Sequence, residues 1–268
     1  MAVAMSGKLL GKVALVTGAS SGLGRAMAIA FAHEGADVAV VARRVEALEE
    51  TARYCREAGR RSLAIPCDVT REDQVNTMVE RVFSEFGRLD ILVNNAGIGP
   101  FAPGLRRDPY RPLTSLSETT RQEWESILTT NLTGPFLVLK AALPRMTAGG
   151  CVINITSMSA RFAGAGGGGA YIASKWALEA LTRIVAEEQR ERGIRVNALC
   201  PGAIVETDFF ATVRDRTFMP AAADEQVILP AALFLASDDS TAVTGQCYYG
   251  KWFNEYLAEV GTPPRQGL

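Results

Sequence analysis

Short apolar runs alternate along this chain with longer segments whose apolar residues recur at helical spacing. The short runs are typical of buried strands, and the periodic segments are typical of amphipathic helices. Strands and helices that alternate in this way build right-handed βαβ units and a parallel sheet. The pattern predicts strands at 13–16, 38–41, 63–68, 91–93, 151–155, 195–199 and 246–249, and helices at 25–33, 73–86, 124–139 and 230–237, with further helices after Arg44 and from Tyr171 onward.

The stretch 98–116 breaks this rhythm, because it holds four prolines and no clear periodicity. It predicts a long surface loop inserted into an otherwise regular fold. No shift of composition, linker or repeat divides the chain, so we expect one domain over 1–268, with its core at about 10–247. The loop could recognise an anionic or bulky substrate, or its charges could simply be solvated; the residues concerned are Phe101, Arg106, Arg107, Tyr110 and Arg111.

The composition narrows the class of protein. The chain has 268 residues, is 48% hydrophobic and 21% charged, and carries a net charge of −1, which is typical of a globular protein and gives no electrostatic footprint for nucleic acid or an anionic membrane. The N-terminal stretch lacks the apolar run of a signal peptide, and we expect no segment long and apolar enough to span a bilayer. These features predict a cytoplasmic protein.

The cysteine and histidine content bears on the chemistry. The five cysteines (55, 67, 151, 200 and 247) are odd in number and lack metal-site spacing, so we expect reduced residues packed mostly in strands and no metal. The chain has a single histidine, His33, at the end of the first predicted helix, where a structural role is expected. A Ser-His-Asp hydrolase and most metal-centred mechanisms are thereby disfavoured.

A glycine-rich turn follows the first predicted strand. Gly18, Gly22 and Gly24 stand between that strand and a helix, in a TGxxxGxG spacing. Glycines at such a turn let the backbone approach a pyrophosphate, and the helix N-terminus supplies oriented N–H groups. Glycine-rich turns also end strands for purely structural reasons, but the strand–turn–helix context favours nucleotide binding.

The end of the second predicted strand bears on which nucleotide binds. An acidic residue at this place holds the ribose 2′-hydroxyl of NAD, whereas an arginine accommodates the 2′-phosphate of NADP. Here Ala42 is followed by Arg43 and Arg44, which can pair with a phosphate or merely begin a solvent-facing helix. The arrangement favours NADP(H) over NAD(H).

Tyr171 and Lys175 lie four residues apart at the start of a predicted helix, so their side chains share one face. A free tyrosine loses its proton near pH ~10, and a neighbouring ammonium is expected to lower that pKa. The pair could therefore work as a proton donor and acceptor near neutral pH. A tyrosine and a lysine at this spacing also occur by chance on many helices.

These motifs occur in one order that resembles the short-chain dehydrogenase/reductase superfamily over residues 10–247. The resemblance implies a single-domain α/β fold of the Rossmann type, a doubly wound parallel sheet with helices on both faces. The motifs that carry it are TGASSGLG at 17–24, Asp68-Val69, Asn94-Asn95-Ala96-Gly97, Asn131, Ser157, Tyr171-x-x-x-Lys175, Arg195-Val196-Asn197-Ala198, Pro201-Gly202 and Thr207.

The resemblance implies a role for each of four catalytic positions. Tyr171 is implied as the general acid/base, and Lys175 as its pKa partner and a contact to the nicotinamide ribose. Ser157 is implied to orient the substrate carbonyl, and Asn131 to anchor a proton-relay water.

The resemblance also implies a set of cofactor contacts. Asp68 and Val69 match the adenine contact, Asn95 lies where the cofactor ribose passes, and the Pro201–Thr207 segment lies against the nicotinamide. The full implied set is Gly18, Ser20, Ser21, Gly22, Leu23, Gly24, Arg43, Arg44, Asp68, Val69, Asn95, Ala96, Gly97, Tyr171, Lys175, Pro201, Gly202, Ile204 and Thr207.

The chain departs from the family pattern at three places. The spacing from Ser157 to Tyr171 is one residue longer than usual, so Ser159 competes with Ser157 for the same role. The chain continues after Gln246 without the family's common Asp-Gly-Gly ending, which leaves the last strand and any tail-mediated subunit contact open. A stretch at 207–220 could form a substrate lid or a solvated short helix; its aromatic and basic residues are Phe209, Phe210, Arg214, Arg216 and Phe218.

The resulting hypothesis is an NADP(H)-dependent oxidoreductase that interconverts a ketone or aldehyde and a secondary alcohol. A nucleotide pocket, a tuned phenol and a fixed hydroxyl donor suffice for that reaction. Two alternatives remain: a non-catalytic NADP(H)-binding sensor, and an epimerase or dehydratase on the same fold. The expected partner is a small carbonyl or alcohol substrate, and relatives that pair through their long helices suggest a homodimer or homotetramer.

Overall fold

In a computed structural model of the protein, the described residues are 7–100, 102, 105, 115–160, 168–205, 207, 223–264 and 267. Within them, seven parallel strands form one sheet in the order β3-β2-β1-β4-β5-β6-β7. The strands are β1 (Val13–Thr17), β2 (Asp37–Ala42), β3 (Ser62–Pro66), β4 (Ile91–Asn94), β5 (Cys151–Ile155), β6 (Arg195–Cys200) and β7 (Cys247–Tyr249). The order reverses between β1 and β4, which opens a crevice at the carboxyl ends of the strands.

Helices cover both faces of the sheet, as the alternating pattern predicts. They are α1 (Gly22–His33), α2 (Val45–Glu57), α3 (Glu72–Phe86), α4 (Arg121–Leu128), α5 (Gly134–Ala142), α6 (Gly169–Glu188), α7 (Leu229–Ala236) and α8 (Gly250–Val260). Residues of α1, α2, α7 and α8 pack on one face of the sheet, and residues of α3, α5 and α6 pack on the other. The doubly wound α/β fold inferred from the sequence is confirmed. The assignment of all of 1–268 to one domain stays a prediction.

The central strands read as continuous apolar runs because both of their faces are covered. Every residue of β1, β2, β4, β5 and β6 is buried, which is typical of a parallel sheet between two helix layers. The edge strand differs. The sequence predicts β3 through Asp68, but the strand ends at Pro66, where a proline has no N–H to donate to the ladder.

The sequence makes no prediction for the structure of the chain after β7, and in the structure this part of the chain forms the helix α8. α8 packs on α7 through an aromatic cluster of Phe234, Tyr248 and Phe253, with ring centroids 5.5–6.2 Å apart. The terminal segment then returns to β7, where Tyr248 Oη donates to the Pro264 carbonyl at 3.2 Å and the Gly267 N–H donates to Gln246 Oε1 at 3.1 Å.

The helical run from Arg121 to Arg145 corrects one expectation. By length and composition alone it could cross a membrane, although no such segment is expected from the sequence. Some 44% of its apolar window is buried inside the fold, and its buried Asn131 is hydrogen-bonded within the protein. Core helices of globular proteins pass the same test, so the run is weak evidence for a membrane span.

All five cysteines are buried, and none of them forms a disulfide. Cys151, Cys200 and Cys247 lie in strands, as expected, whereas Cys55 lies in α2 and Cys67 follows β3. Burial raises the pKa of the Cys55 and Cys67 thiols to about 11. They are therefore neutral packing residues at physiological pH.

Candidate active site

The glycine turn between β1 and α1 is a backbone-lined cradle. Gly18 and Gly22 have φ of 66° and 54°, in the left-handed region that glycine tolerates best. A Cβ on Gly18 would lie 2.8 Å from the Ala96 Cα, and a Cβ on Gly24 would lie 2.4 Å from the Gly18 carbonyl oxygen. The bare backbone of these glycines therefore packs closely against the residues after β4, and the turn leads into the start of α1, where N–H groups have no intrahelical partner.

Asn95 is hydrogen-bonded to the glycine turn. Its Nδ2 donates to the carbonyls of Thr17 at 2.9 Å and Gly18 at 3.2 Å, and the Thr17 hydroxyl accepts the N–H groups of Asn95 and Ala96 at 3.0 and 3.1 Å. These bonds join the ends of β1 and β4. In this structure Asn95 therefore shapes the glycine turn, and its contact with a cofactor ribose stays a prediction.

Arg44 lies across the outer side of the same turn. Its Nη2 donates to the hydroxyls of Ser20 at 3.2 Å and Ser21 at 2.7 Å. Arg43 is exposed beside it, and both follow β2 directly. The Arg44 guanidinium thus contacts the glycine turn, and recognition of a 2′-phosphate by Arg43 and Arg44 stays a prediction.

Asp68 and Val69 follow the edge strand β3. Asp68 Oδ1 accepts from the Thr70 N–H at 3.0 Å and the Thr70 hydroxyl at 2.8 Å, and its own N–H donates to Gln74 at 2.8 Å. Val69 is buried against the first residue of α5, because a Cβ on Gly134 would lie 3.0 Å from its methyl carbon. Both residues are held by local structure at the height of the predicted adenine site.

Asn131 is buried in a π-helical turn, Thr129–Thr133, between α4 and α5. Its side chain pairs with the backbone of Ile98, accepting from the N–H and donating to the carbonyl, both at 2.8 Å, and it donates to the Ser174 hydroxyl at 3.1 Å. Its Oδ1 and the Lys175 Nζ lie 3.2 and 3.6 Å from the place where Gly97 would carry a Cβ. Asn131 and Lys175 therefore meet beside Gly97, and π-turns of this kind are frequent at functional sites.

Ser157 and Tyr171 are joined by a side-chain hydrogen bond. Ser157 follows β5 and also accepts the Ser159 N–H at 3.3 Å, which orients its hydroxyl. Ser159 lies in the short helical turn Met158–Ala160 that comes next. Of the two serines left open by the spacing, Ser157 is thus the one that contacts the phenol.

The pKa of Tyr171 contradicts the expectation from the sequence. Burial raises the pKa of the phenol to about 12, and the bond with Ser157 only partly opposes this shift. The Lys175 Nζ lies 5.8 Å from the ring centroid and donates to the Ile155 carbonyl at 2.9 Å. Lys175 does not lower the pKa of Tyr171, because the lysine has lost its own proton before the pH at which the phenol titrates. Burial also lowers the pKa of Lys175 to about 8. At neutral pH the phenol of Tyr171 is therefore protonated, and the Lys175 ammonium gives up its proton more readily than an exposed lysine does.

The loop after β6 closes the crevice. Gly202 has φ of 75°, and its N–H points to the Cys200 sulfur at 3.3 Å. Thr207 reaches the glycine turn, because a Cβ on Gly22 would lie 3.0 Å from its methyl carbon. The loop therefore spans from β6 to α1 across the carboxyl edge of the sheet, with Pro201 buried and Ile204 partly exposed on the way.

Several predicted features lie outside the described residues. They comprise the aromatic and basic residues of the insert, Phe101, Arg106, Arg107, Tyr110 and Arg111, and those of the suggested lid, Phe209, Phe210, Arg214, Arg216 and Phe218. In the part of the chain that the structure describes, no group of three metal-ligating side chains is present. His33 is exposed at the end of α1, at the opposite side of the sheet from Tyr171.

The sequence gives little warning of one polar ladder beneath the site. Asn94 Nδ2 donates to Asn154 Oδ1 at 2.9 Å, and Asn154 Nδ2 donates to the Thr182 hydroxyl at 2.9 Å. The ladder ties β4, β5 and α6 together and so sets the height of Lys175 above the sheet. Its signal in the sequence is two asparagines that end or nearly end apolar strands.

The site combines a glycine cradle, two guanidinium groups and a Ser-Tyr-Lys-Asn cluster along one edge of a parallel sheet. The sequence model of the short chain dehydrogenase family matches residues 12–217. The chain belongs to this family. The 3-oxoacyl-(acyl-carrier-protein) reductase FabG of Staphylococcus aureus is 38% identical over 246 residues, which cover 88% of this chain and 94% of that protein.

Solved structures agree with this assignment. A short-chain type dehydrogenase/reductase from Mycobacterium marinum superposes with a TM-score of 0.81 at 33% identity, covering 89% of this chain and 93% of that one. A blue fluorescent protein from a metagenomic library, crystallised in complex with NADPH, superposes with a TM-score of 0.79 at 33% identity, covering 90% and 96% of the two chains.

Proposed function

We propose that the protein is an NADP(H)-dependent oxidoreductase that interconverts a ketone or aldehyde and the corresponding alcohol. The observation that carries the proposal is the hydrogen bond between Ser157 and Tyr171, with Lys175 one helical turn away at the same edge of the sheet. Two hydroxyl groups fixed in this way can bind one carbonyl oxygen together. Two of the similar proteins support the class, since one is named a 3-oxoacyl reductase and another holds NADPH.

The residues present fit a dinucleotide. The glycine turn leads into the N-terminus of α1, whose N–H groups would bind a pyrophosphate, and Arg43 and Arg44, which follow β2, would pair with a 2′-phosphate. Lys175 and the Pro201–Gly202 loop would hold the nicotinamide half. A bound nicotinamide would supply the hydride that the reaction adds to the carbonyl carbon.

The residues of the chain would supply the proton and the hydrogen bonds and charge that stabilise the reacting groups. Ser157 and Tyr171 donate hydrogen bonds to the carbonyl oxygen, which gains negative charge as its carbon is reduced. Tyr171 then transfers its phenolic proton to that oxygen, which completes the alcohol and leaves a phenolate. Lys175 stabilises the phenolate by its charge, and Asn131 holds the loop at Ile98 and the Ser174 hydroxyl that lie next to it. In the direction of oxidation, the same groups act in reverse.

Turnover of a panel of ketones, aldehydes and alcohols with NADPH or NADP⁺ tests the proposal. We expect oxidation of NADPH in step with formation of the alcohol. A sensor would bind NADPH without turnover. An epimerase or dehydratase would form product without a net change in the near-ultraviolet absorbance of reduced nicotinamide. Either of these outcomes would overturn the reductase assignment.

Removing the guanidinium groups is expected to weaken NADPH binding selectively. Arg44→Ala and Arg43→Ala should each weaken NADPH by about 1.5–3 kcal/mol, the range for a lost charge-assisted contact, and should leave NADH nearly unchanged. Calorimetric titration with both dinucleotides measures this difference. Arg56→Ala is the matched control, because Arg56 is another exposed arginine of α2 and pairs with Glu49. Equal weakening of both dinucleotides would remove the 2′-phosphate assignment.

The rate of reduction is expected to fall as the pH rises through about 8. Tyr171 stays protonated up to a pKa of about 12, whereas Lys175, with a pKa of about 8, loses the charge that stabilises the phenolate. The pH profile of kcat/KM reports the free enzyme and measures this step. Lys175→Arg should be slower overall but should move the fall to higher pH, because a guanidinium keeps its proton. The same midpoint in both proteins would contradict the assignment.

We also propose that the protein assembles as a homodimer or homotetramer through α5 and α6 and acts in the cytoplasm. Large apolar side chains on these helices remain about half exposed, with Phe136 at 48%, Trp176 at 49% and Ile184 at 55%. Apolar groups on two neighbouring helices favour association with a second copy.

A further inference from the structure

An apolar cluster lies next to Ser157 at the carboxyl ends of β6 and β7. Its buried members are Ala198, Cys200, Cys247 and Tyr249, of which Cys200 and Tyr249 are register partners on the two strands. Met158 and Trp252 pack against them while remaining partly exposed. Tyr249 and Trp252 stack with ring centroids 4.4 Å apart and an interplanar angle of 37°. We call Met158, Tyr249 and Trp252 the aromatic wall.

The aromatic wall is continuous with the catalytic cluster. Met158 directly follows Ser157, whose hydroxyl bonds Tyr171. On the strand beside it, Cys200 lies close enough to Tyr171 and Lys175 to interact with both electrostatically. A substrate whose carbonyl oxygen rests on Ser157 and Tyr171 therefore has the wall as a neighbour on the β6–β7 side.

The position of the wall is fixed by the start of α8. The Lys251 N–H donates to the Pro201 carbonyl at 3.0 Å, and a Cβ on Gly202 would lie 3.1 Å from the Lys251 Cβ. A Cβ on Gly250 would lie 2.7 Å from the Val227 carbonyl oxygen, so only glycine fits the approach of this turn. The turn holds Trp252 in place against the loop that we assign to the nicotinamide.

The three side chains of the wall carry no charge, and the buried Glu179 carboxylate near the same cluster accepts from the Cys247 thiol at 3.5 Å. Burial raises the pKa of the Cys200 thiol to about 12, so it is neutral at physiological pH. The nearest cation along the chain, Lys251, is exposed and has its Nζ 3.9 Å from Glu255 on α8. A flat indole face over a second ring offers stacking and apolar contact, and it offers no charge for an acidic or basic substituent.

We propose that the aromatic wall binds the substituent of the substrate, and that the preferred substrate is an uncharged carbonyl compound with an aromatic group next to the reacting carbon. This inference rests on the proposed reductase function, because it assumes a carbonyl oxygen at Ser157 and Tyr171. Trp252 is then a specificity-determining residue: it contacts the substituent of the substrate and does not contact the reacting atoms.

The test compares Trp252→Ala and Trp252→Phe with the unmodified protein in two measurements. The first is calorimetric binding of acetophenone in the presence of NADP⁺, a mixture in which no reduction can occur. The second is the ratio of kcat/KM for acetophenone to that for 2-butanone, with NADPH. We expect Trp252→Ala to weaken acetophenone binding about tenfold and to lower the ratio about tenfold, and Trp252→Phe to restore most of both.

Tyr256→Ala is the matched control, since Tyr256 is a partly exposed aromatic residue one turn further along α8. We expect it to leave both measurements unchanged. An equal effect of Tyr256→Ala, or an unchanged ratio of the two kcat/KM values in Trp252→Ala, would refute the role of the aromatic wall and leave the reductase function intact. Binding that depends on Trp252 without any turnover would support the wall and refute the reductase. No binding and no turnover would refute both.

Discussion

Tyr171→Phe is expected to lower kcat for carbonyl reduction by about a thousandfold, within the range of roughly 10²–10⁴ for loss of a general acid. The variant loses both the proton donor and one of the two hydroxyl groups that bind the carbonyl oxygen. The partly buried ring itself is kept, and the bond that Ser157 makes to the phenol is lost with the hydroxyl. Steady-state kinetics with NADPH and a ketone that the unmodified protein reduces measures the effect.

Cofactor binding separates this chemical role from a structural one. We expect Tyr171→Phe to bind NADPH with nearly unchanged affinity in a calorimetric titration, because the cradle and the two arginines are untouched. Tyr256→Phe serves as a control for the loss of a phenol elsewhere, and it should keep full activity. Retention of more than about a tenth of the activity by Tyr171→Phe would contradict the role of Tyr171 as the acid.

The choice between Ser157 and Ser159 shows a limit of what the sequence can predict about this site. The spacing along the chain leaves both serines open, because the glycine-rich stretch before Tyr171 can absorb one extra residue. The structure distinguishes them because the Ser157 side chain bonds the Tyr171 phenol, whereas Ser159 lies in the turn that follows and donates its N–H to Ser157. A tertiary contact decides what spacing alone leaves ambiguous.

Much of the fold follows from local pattern. The apolar runs at β1, β2, β4, β5 and β6 are short, fully buried and bounded by turns, so their type and order can be read directly from the sequence. Strand ends then place Gly18, Ser157 and Pro201 at one edge, because the carboxyl ends of parallel strands lie together. The positions of the site residues are thus the most predictable part of the molecule.

The terminal helix α8 could not be predicted with the same ease. Gly250-Lys251-Trp252 offers no capping side chain, and no side chain bonds the first turn of the helix at its N-cap, Tyr249. Its stability comes from the packing of Phe253 on Phe234 and Tyr248, which are distant in the sequence. The sequence pattern shows that these residues are apolar, but it does not show which of them pack together.

The electrostatics of Tyr171 and Lys175 could not be predicted from spacing either. Residues at i and i+4 share a face, but their mutual effect depends on how deeply the face is buried. Lys175 is only 5% exposed, and its ammonium bonds the Ile155 carbonyl with no carboxylate among the causes of its pKa shift. Burial therefore acts on both groups and outweighs the attraction that the sequence leads us to expect.

The same burial predicts that Lys175→Met abolishes activity and stabilises the fold. Without the ammonium, the phenolate formed at Tyr171 loses its stabilising charge, and we expect kcat to fall by about a hundredfold or more. The lysine pKa is lowered from 10.5 to about 8, so the charged side chain opposes folding at neutral pH by about 3 kcal/mol. Loss of the bond to the Ile155 carbonyl offsets about 1 kcal/mol, which leaves a net stabilisation of about 2 kcal/mol.

The pH dependence of the free energy of unfolding tests this origin. Between pH 8 and 10.5 the unfolded chain binds more protons at Lys175 than the folded chain, so this residue makes the unmodified protein more stable as the pH rises through that window. The advantage of Lys175→Met should therefore be full below pH 8 and disappear by about pH 10.5. Urea unfolding at several pH values measures it, and Lys140→Met, which removes an exposed lysine paired with Glu72, should show little change at any of them. An advantage of Lys175→Met that stays constant with pH would mean that apolar packing, and not the buried charge, sets the stability at this position.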